Sequence, residues 1–172
     1  EVPNLSIVAD VHFSSKVAAA AVPVCDKVRI NPGNFLGKKD SQSPAGSINT
    51  SAVKTETKEK LKALIALCKK HQTALRIGVN HGSLSSRIME QFGDTPEGMV
   101  ASAMEYLIIC NEENFDNVIV SLKSSNSTLM TKSVRLLVKK MVEKSVYYPV
   151  HLGVTESGDG LEGRIKSVVG IA

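Results

Sequence analysis

The sequence predicts an α/β fold, an incomplete (β/α) barrel of about five βα units on a parallel sheet. Three observations lead there. Five short apolar segments, SIVADVH, KVRIN, TALRIGVN, VIVSLK and VHLGVTE, alternate with helical patterns. In four of them polar residues recur at even spacing: Asp10 with His12, Arg29 with Asn31, Arg76 with Asn80, and Ser121 with Lys123. Side chains two or four apart share a face of a strand. The opposite face then holds Ile7 and Ala9, Val28 and Ile30, Leu75, Ile77 and Val79, and Val118, Val120 and Leu122. Helices cover that apolar face, while cations and amides gather at the carboxyl ends of the strands, where barrel sites are assembled. A closed eight-fold barrel needs about 250 residues, so 172 residues read as a piece of one. A complete doubly wound domain is the alternative. It fits less well, because polar residues end every strand rather than clustering at one crevice.

The elements follow in order. After the first strand, SSKVAAAAVPVCD is a short alanine-rich helix closed by Pro23. KVRIN is followed by a PGN turn in which Gly33 is free to take positive φ. Residues 35–59, rich in Ser, Thr, Lys and Gly, are expected to be a long loop or mobile insertion. Leu61, Leu64, Ile65 and Cys68 then mark a helical stripe. After TALRIGVN, HGSLSSRIMEQFG leads into a short helix. Thr95 is the N-cap of the next, with Pro96 at its first position and Glu97 near the positive end of the dipole. That helix presents Met99, Val100, Ala103, Met104 and Leu107 to the core. A helix from about Thr128 to Lys144 buries Val134, Leu137, Val138 and Met141, and a last helix begins within GRIKSVVGIA. Strand and helix in alternation call for right-handed crossovers and a parallel sheet.

Composition narrows the function. With 42% apolar and 22% charged residues the chain can bury one real core. No stretch near 18 residues is apolar and free of charge, so no membrane span is expected. The net charge of +4 comes without a basic block, and only 4% of residues are aromatic. That argues against nucleic acid and suits an anionic small molecule. Cys25, Cys68 and Cys110 are far apart, which suggests neither a zinc site nor a disulfide framework. Free thiols in a reducing cytoplasm are the expectation, with no metal ligand among them.

Arg29, Arg76 and Lys123 would bring three cations to one rim. Burying them without a partner costs several kcal/mol each, in order of magnitude. A phosphorylated or diphosphate ligand would supply that partner, with Asn31 and Asn80 as neutral donors. His12 reads equally as an acid/base held by a neighbouring carboxylate or as a hydrogen-bonded core histidine. His81 sits on a loop within reach of a phosphate, His71 is a solvated helix end, and His151 reads as packed. Continued alternation puts Glu156 with Val150, Leu152 and Val154 on the helix-facing side. A bend in ESGDG would instead turn it inward, and spacing alone leaves both open.

VADVHF, KVRINPGN, RIGVNHGSLSSRI, GDTPEGMV, VSLKSSN and HLGVTESGDGLEGRIKS, in this order, resemble the 4-hydroxy-3-methylbut-2-en-1-yl diphosphate synthase family of the non-mevalonate isoprenoid pathway. GDTPEGMV and GDGLEGRIKS resemble its larger form, which has an inserted domain. The resemblance implies a TIM barrel, here roughly strands three to seven, and a C-terminal iron–sulfur domain absent from these residues. It implies a cytoplasmic bacterial enzyme, with a plastid as the alternative, working as a homodimer. Ferredoxin or flavodoxin would supply two electrons to open 2-C-methyl-D-erythritol 2,4-cyclodiphosphate. By motif match Arg29, Asn31, Arg76, Asn80 and Lys123 hold the diphosphate and Asp10 and His12 line the pocket. Glu156, now inward, does acid/base work. The 4Fe–4S ligands would lie outside this chain, which alone is expected to be inactive and to hold no cofactor. A non-catalytic phosphate-binding or self-associating α/β domain is the alternative.

Overall fold

The computed structural model describes residues 5–37 and 50–172. Strands β1 (Val8–Val11), β2 (Lys27–Ile30), β3 (Ala74–Asn80) and β4 (Val118–Lys123) form one parallel sheet in the order β1-β2-β3-β4. The connections are helical: α1 (Ser15–Ala21) with a 3-10 turn at Val22–Val24, α2 (Thr50–His71), then α3 (Ser86–Phe92) and α4 (Pro96–Glu112). Helices α5 (Ser127–Glu143) and α6 (Gly160–Ile171) complete the described elements.

One face of the sheet is apolar as the alternation requires. Val28, Ile30, Leu75, Ile77, Val79, Val118, Val120 and Leu122 are all buried. Against them pack Leu61, Leu64, Ile65 and Cys68 of α2, and Met99, Ala103, Leu107 and Cys110 of α4. Local signals fix the helix starts. Ser14 caps α1, Thr95 accepts from Gly98 N ahead of Pro96, and Asn126 caps α5 by accepting from Leu129 N.

Four expectations are corrected. Residues 50–59 are the first turns of α2 rather than loop, while 38–49 lie outside the described residues. Lys and Glu in this stretch are good helix formers, and its Ser and Thr weaken the helix only slightly. The segment at VHLGVTE runs beside β4 through a single bridge, Val120 with Val150, rather than as a fifth strand. Pro149 has no N–H to give a ladder, yet Val120 N donates to Pro149 O, His151 N to Val120 O, and Thr155 N to Ser124 O. Val138 is exposed, because the buried stripe of α5 is narrower and centred on Met130, Ser133, Leu137 and Met141. Ile7 precedes β1 and is exposed as well.

The register sets up everything above the sheet. Asp10 stands opposite Arg29, and Arg29 opposite Arg76, so three charged residues form one row across three strands. Asn80 stands opposite Lys123 two layers nearer the carboxyl ends, with Gly78 opposite Ser121 between. The loops after β2 and β3 cross closely: a Cβ on Gly33 would fall 1.8 Å from Ser83 O. Only glycine permits that approach.

Candidate functional site

Above the carboxyl ends of the strands lies a cleft of about 220 Å³ lined by Val8, Asp10, His12, Arg29, Arg76, Asn80, Lys123 and Thr155. Six of these are residues that the alternation places on the polar face. Arg29 organises them. It is 7% exposed, and its Nη1 donates to Asp10 Oδ1 at 2.8 Å and meets His12 Nε2 at 2.9 Å. Nη2 donates to Gly78 O at 3.1 Å and to Asn80 Oδ1 at 3.4 Å. On the other side of the ring Asn34 Nδ2 lies 3.4 Å from His12 Nδ1. Asp10 Oδ1 also lies 3.2 Å from His12 Nε2.

Arg76 and Lys123 are far less satisfied. Among the described residues Arg76 Nε and Nη2 each reach only Ser121 Oγ, at 3.3 Å. Lys123 makes no ion pair among the described residues. Burial, followed by the charge of Arg29, lowers the Arg76 pKa below the ordinary guanidinium value, with Asp10 partly offsetting this. Lys123 is lowered by burial first and then by Arg76 and Arg29. Three cations therefore face one exposed carboxylate, and the cleft carries an excess of positive charge.

A pH dependence follows. Lys123 titrates below 10.5, so anion affinity falls as pH rises through that lowered range, before an ordinary lysine would discharge. An incoming anion raises the pKa again, and binding takes up protons there. The sign for folding is opposite. The unliganded protein gains stability as pH climbs through the same range, because the unfolded lysine holds its proton more tightly. Calorimetric titration of the full-length protein with diphosphate at rising pH checks this; in Lys123→Arg the decline should vanish from that range.

Two expected site residues lie elsewhere. Asn31 is buried, but its Nδ2 donates to Ser83 Oγ at 2.9 Å and its Oδ1 accepts from Gly33 N at 3.0 Å. It fastens the crossing loops instead of lining the cleft. Glu156 is exposed, with φ +51, just past the cleft residue Thr155. Left-handed backbone at that point breaks the alternation before the side chain can turn in. His151 is exposed rather than packed, and partial burial, then Arg76, Lys123 and Lys27, lower its pKa. His81 follows β3, its Nε2 3.4 Å from Asp94 Oδ2 and its backbone N–H donating to Lys123 O.

Sequence reasoning missed Thr155, Val8 and Asn34. Thr155 was legible from parity, since it alternates with Val150, Leu152 and Val154, although Leu152 is exposed in the structure. Asn34 is buried, accepts from Phe13 N at 3.4 Å and lies beside His12, steadying the turn where Phe13 takes φ +59. Only the fold brings it there.

A family profile described as GcpE TIM-barrel domain matches residues 1–172. The chain belongs to the GcpE family. Among curated relatives, a protein of Parabacteroides distasonis is 53% identical over 96% of this chain and 27% of its own length. One of Porphyromonas gingivalis is 48% identical over 98% of the chain and 29% of its own. One of Chlamydia pneumoniae is 46% identical over 98% and 28%. Each is named 4-hydroxy-3-methylbut-2-en-1-yl diphosphate synthase (flavodoxin). The GcpE chain thus spans just over a quarter of the length of the relatives it matches.

An iron–sulfur cluster does not fit the described residues of this GcpE chain. Burial pushes the thiols of Cys68 and Cys110 up to about 11 and about 12, the wrong direction for thiolate ligands. Among the described residues no group of three or more His, Cys, Asp or Glu could hold a metal ion. No described helix is long and apolar enough to cross a membrane.

Proposed function

We propose that this chain is the barrel portion of an oxidoreductase that reductively opens 2-C-methyl-D-erythritol 2,4-cyclodiphosphate to 4-hydroxy-3-methylbut-2-enyl diphosphate. The observation that carries the reading is the convergence of Arg29, Arg76 and Lys123 on one cleft with Asp10 as the single carboxylate among its lining residues. Arg76 and Lys123 have the unused donors, and they take the diphosphate oxygens directly. Arg29, saturated by its neighbours, contributes its field and donates once Asp10 gives way. Asn80 and Thr155 orient the ligand. His12 sits beside Arg29 as the acid/base candidate on the cleft wall.

Glu156 enters this reading as the second acid/base residue, on motif resemblance, and it reaches the substrate only if the ESGDG loop rearranges on binding. The electron donor is flavodoxin, as the relatives' names suggest, acting through a 4Fe–4S cluster held outside these residues. The protein works as a homodimer in the bacterial cytoplasm.

The test is anaerobic turnover by the full-length protein with cyclodiphosphate and reduced flavodoxin, following the product by mass. Binding without product would favour the phosphate-binding module instead, and failure to bind would end both readings.

A further inference from the structure

Arg29 can organise the cleft only because of what its neighbour on β3 lacks. The side chain starts on β2 and leans over β3, where its Nη2 meets Gly78 O. A Cβ on Gly78 would lie 2.4 Å from Arg29 Nε and 3.1 Å from both Cζ and Nη2. Such contacts are far inside van der Waals distance, and the side chain has little freedom to yield. Its guanidinium is tied to Asp10 and His12 on one side and to Gly78 O and Asn80 on the other. Glycine in the interior of a central strand weakens the strand, so this one needs a reason.

We propose that Gly78 is a positioning residue for anion binding: its missing side chain opens the path by which Arg29 crosses β3 and presents its charge to the ligand. The inference rests on the cleft being the ligand site. Gly78 has the inward parity of Arg76 and Asn80, so any side chain there enters the space Arg29 occupies. The displaced guanidinium would lose Gly78 O and Asn80 and could not keep its present place beside Arg76.

Gly153 supplies an internal comparison. It lies beside Lys123, but a Cβ there would lie 3.7 Å from Lys123 Cε and 3.9 Å from Nζ, an ordinary contact. Two glycines face two cations, and only one of them is required to be glycine.

The experiment uses full-length protein and calorimetric titration with the cyclodiphosphate. Gly78→Ala should weaken binding about 10-fold or more, and Gly153→Ala less than about twofold. In an Arg29→Met background Gly78→Ala should have no further effect, because the two residues act as one unit. Wild-type affinity in Gly78→Ala, or an undiminished loss in the Arg29→Met background, overturns the proposal. A second readout needs no ligand: the Nε–H resonance of Arg29 in arginine-labelled protein should move in Gly78→Ala and stay in Gly153→Ala. If the wild type binds no cyclodiphosphate, the substrate reading fails by itself, and this resonance still decides the role of Gly78, an unmoved signal counting against it. Should Gly78→Ala not fold, restored folding in the double variant with Arg29→Met supports the clash, and no restoration refutes it.

Discussion

Given the proposed function, Arg29→Met lowers kcat/KM of the full-length protein for the cyclodiphosphate by at least about 100-fold, the cost of losing one preorganised charged donor, and it destabilises the fold as well. Methionine keeps most of the buried stem and removes the fork. The second effect arises because the guanidinium is buried and its partners include Gly78 O and Asn80 Oδ1. Losing hydrogen bonds to a charged donor costs about 2 kcal/mol. The share that comes from Asp10 is small, because that carboxylate is 63% exposed and water replaces the lost contact. Steady-state kinetics and urea unfolding of the same preparation measure both losses. A variant with normal stability and normal kcat/KM would remove Arg29 from the site.

Arg76→Gln separates the two effects. Affinity for the cyclodiphosphate falls about 100-fold, while the unfolding midpoint without ligand stays level or rises. Among the described residues Arg76 has only Ser121 Oγ as a hydrogen-bond partner, at 3.3 Å, and burial and the charge of Arg29 both oppose its protonated form. Removing it relieves that repulsion in the unliganded protein. Residues shaped for a ligand are often a burden on the empty fold. Differential scanning calorimetry with and without ligand gives the answer, and a clear drop in the midpoint without ligand would show that Arg76 is a structural residue.

The polar face of the sheet was legible because a period of two is unambiguous when the other face is wholly apolar, as in ALRIGVN and VIVSLK. Period alone placed Asp10, His12, Arg29, Arg76, Asn80 and Lys123 correctly. It could not give register, and register decides that Arg29 lies between Asp10 and Arg76 and beside Gly78. Asn31 shows the limit from the other side: it has the right parity, but the loop carrying Ser83 passes close enough to claim its amide. Glu156 was undecidable because it stands where a strand-like segment meets left-handed backbone. The first turns of α2 were hidden by their polarity, since most of them face solvent and carry no apolar stripe.

One consequence concerns which visitors the cleft admits. Asp10 already leans on Arg29 from an exposed position, so the resting pocket has its own tethered counter-ion. A singly charged metabolite leaves that carboxylate in place and is held by Arg76 or Lys123. A guest with two or more negative charges can push it aside and still engage the remaining cations. If the cleft is the ligand site, as proposed, a polyanion gains more contacts there than acetate or bicarbonate.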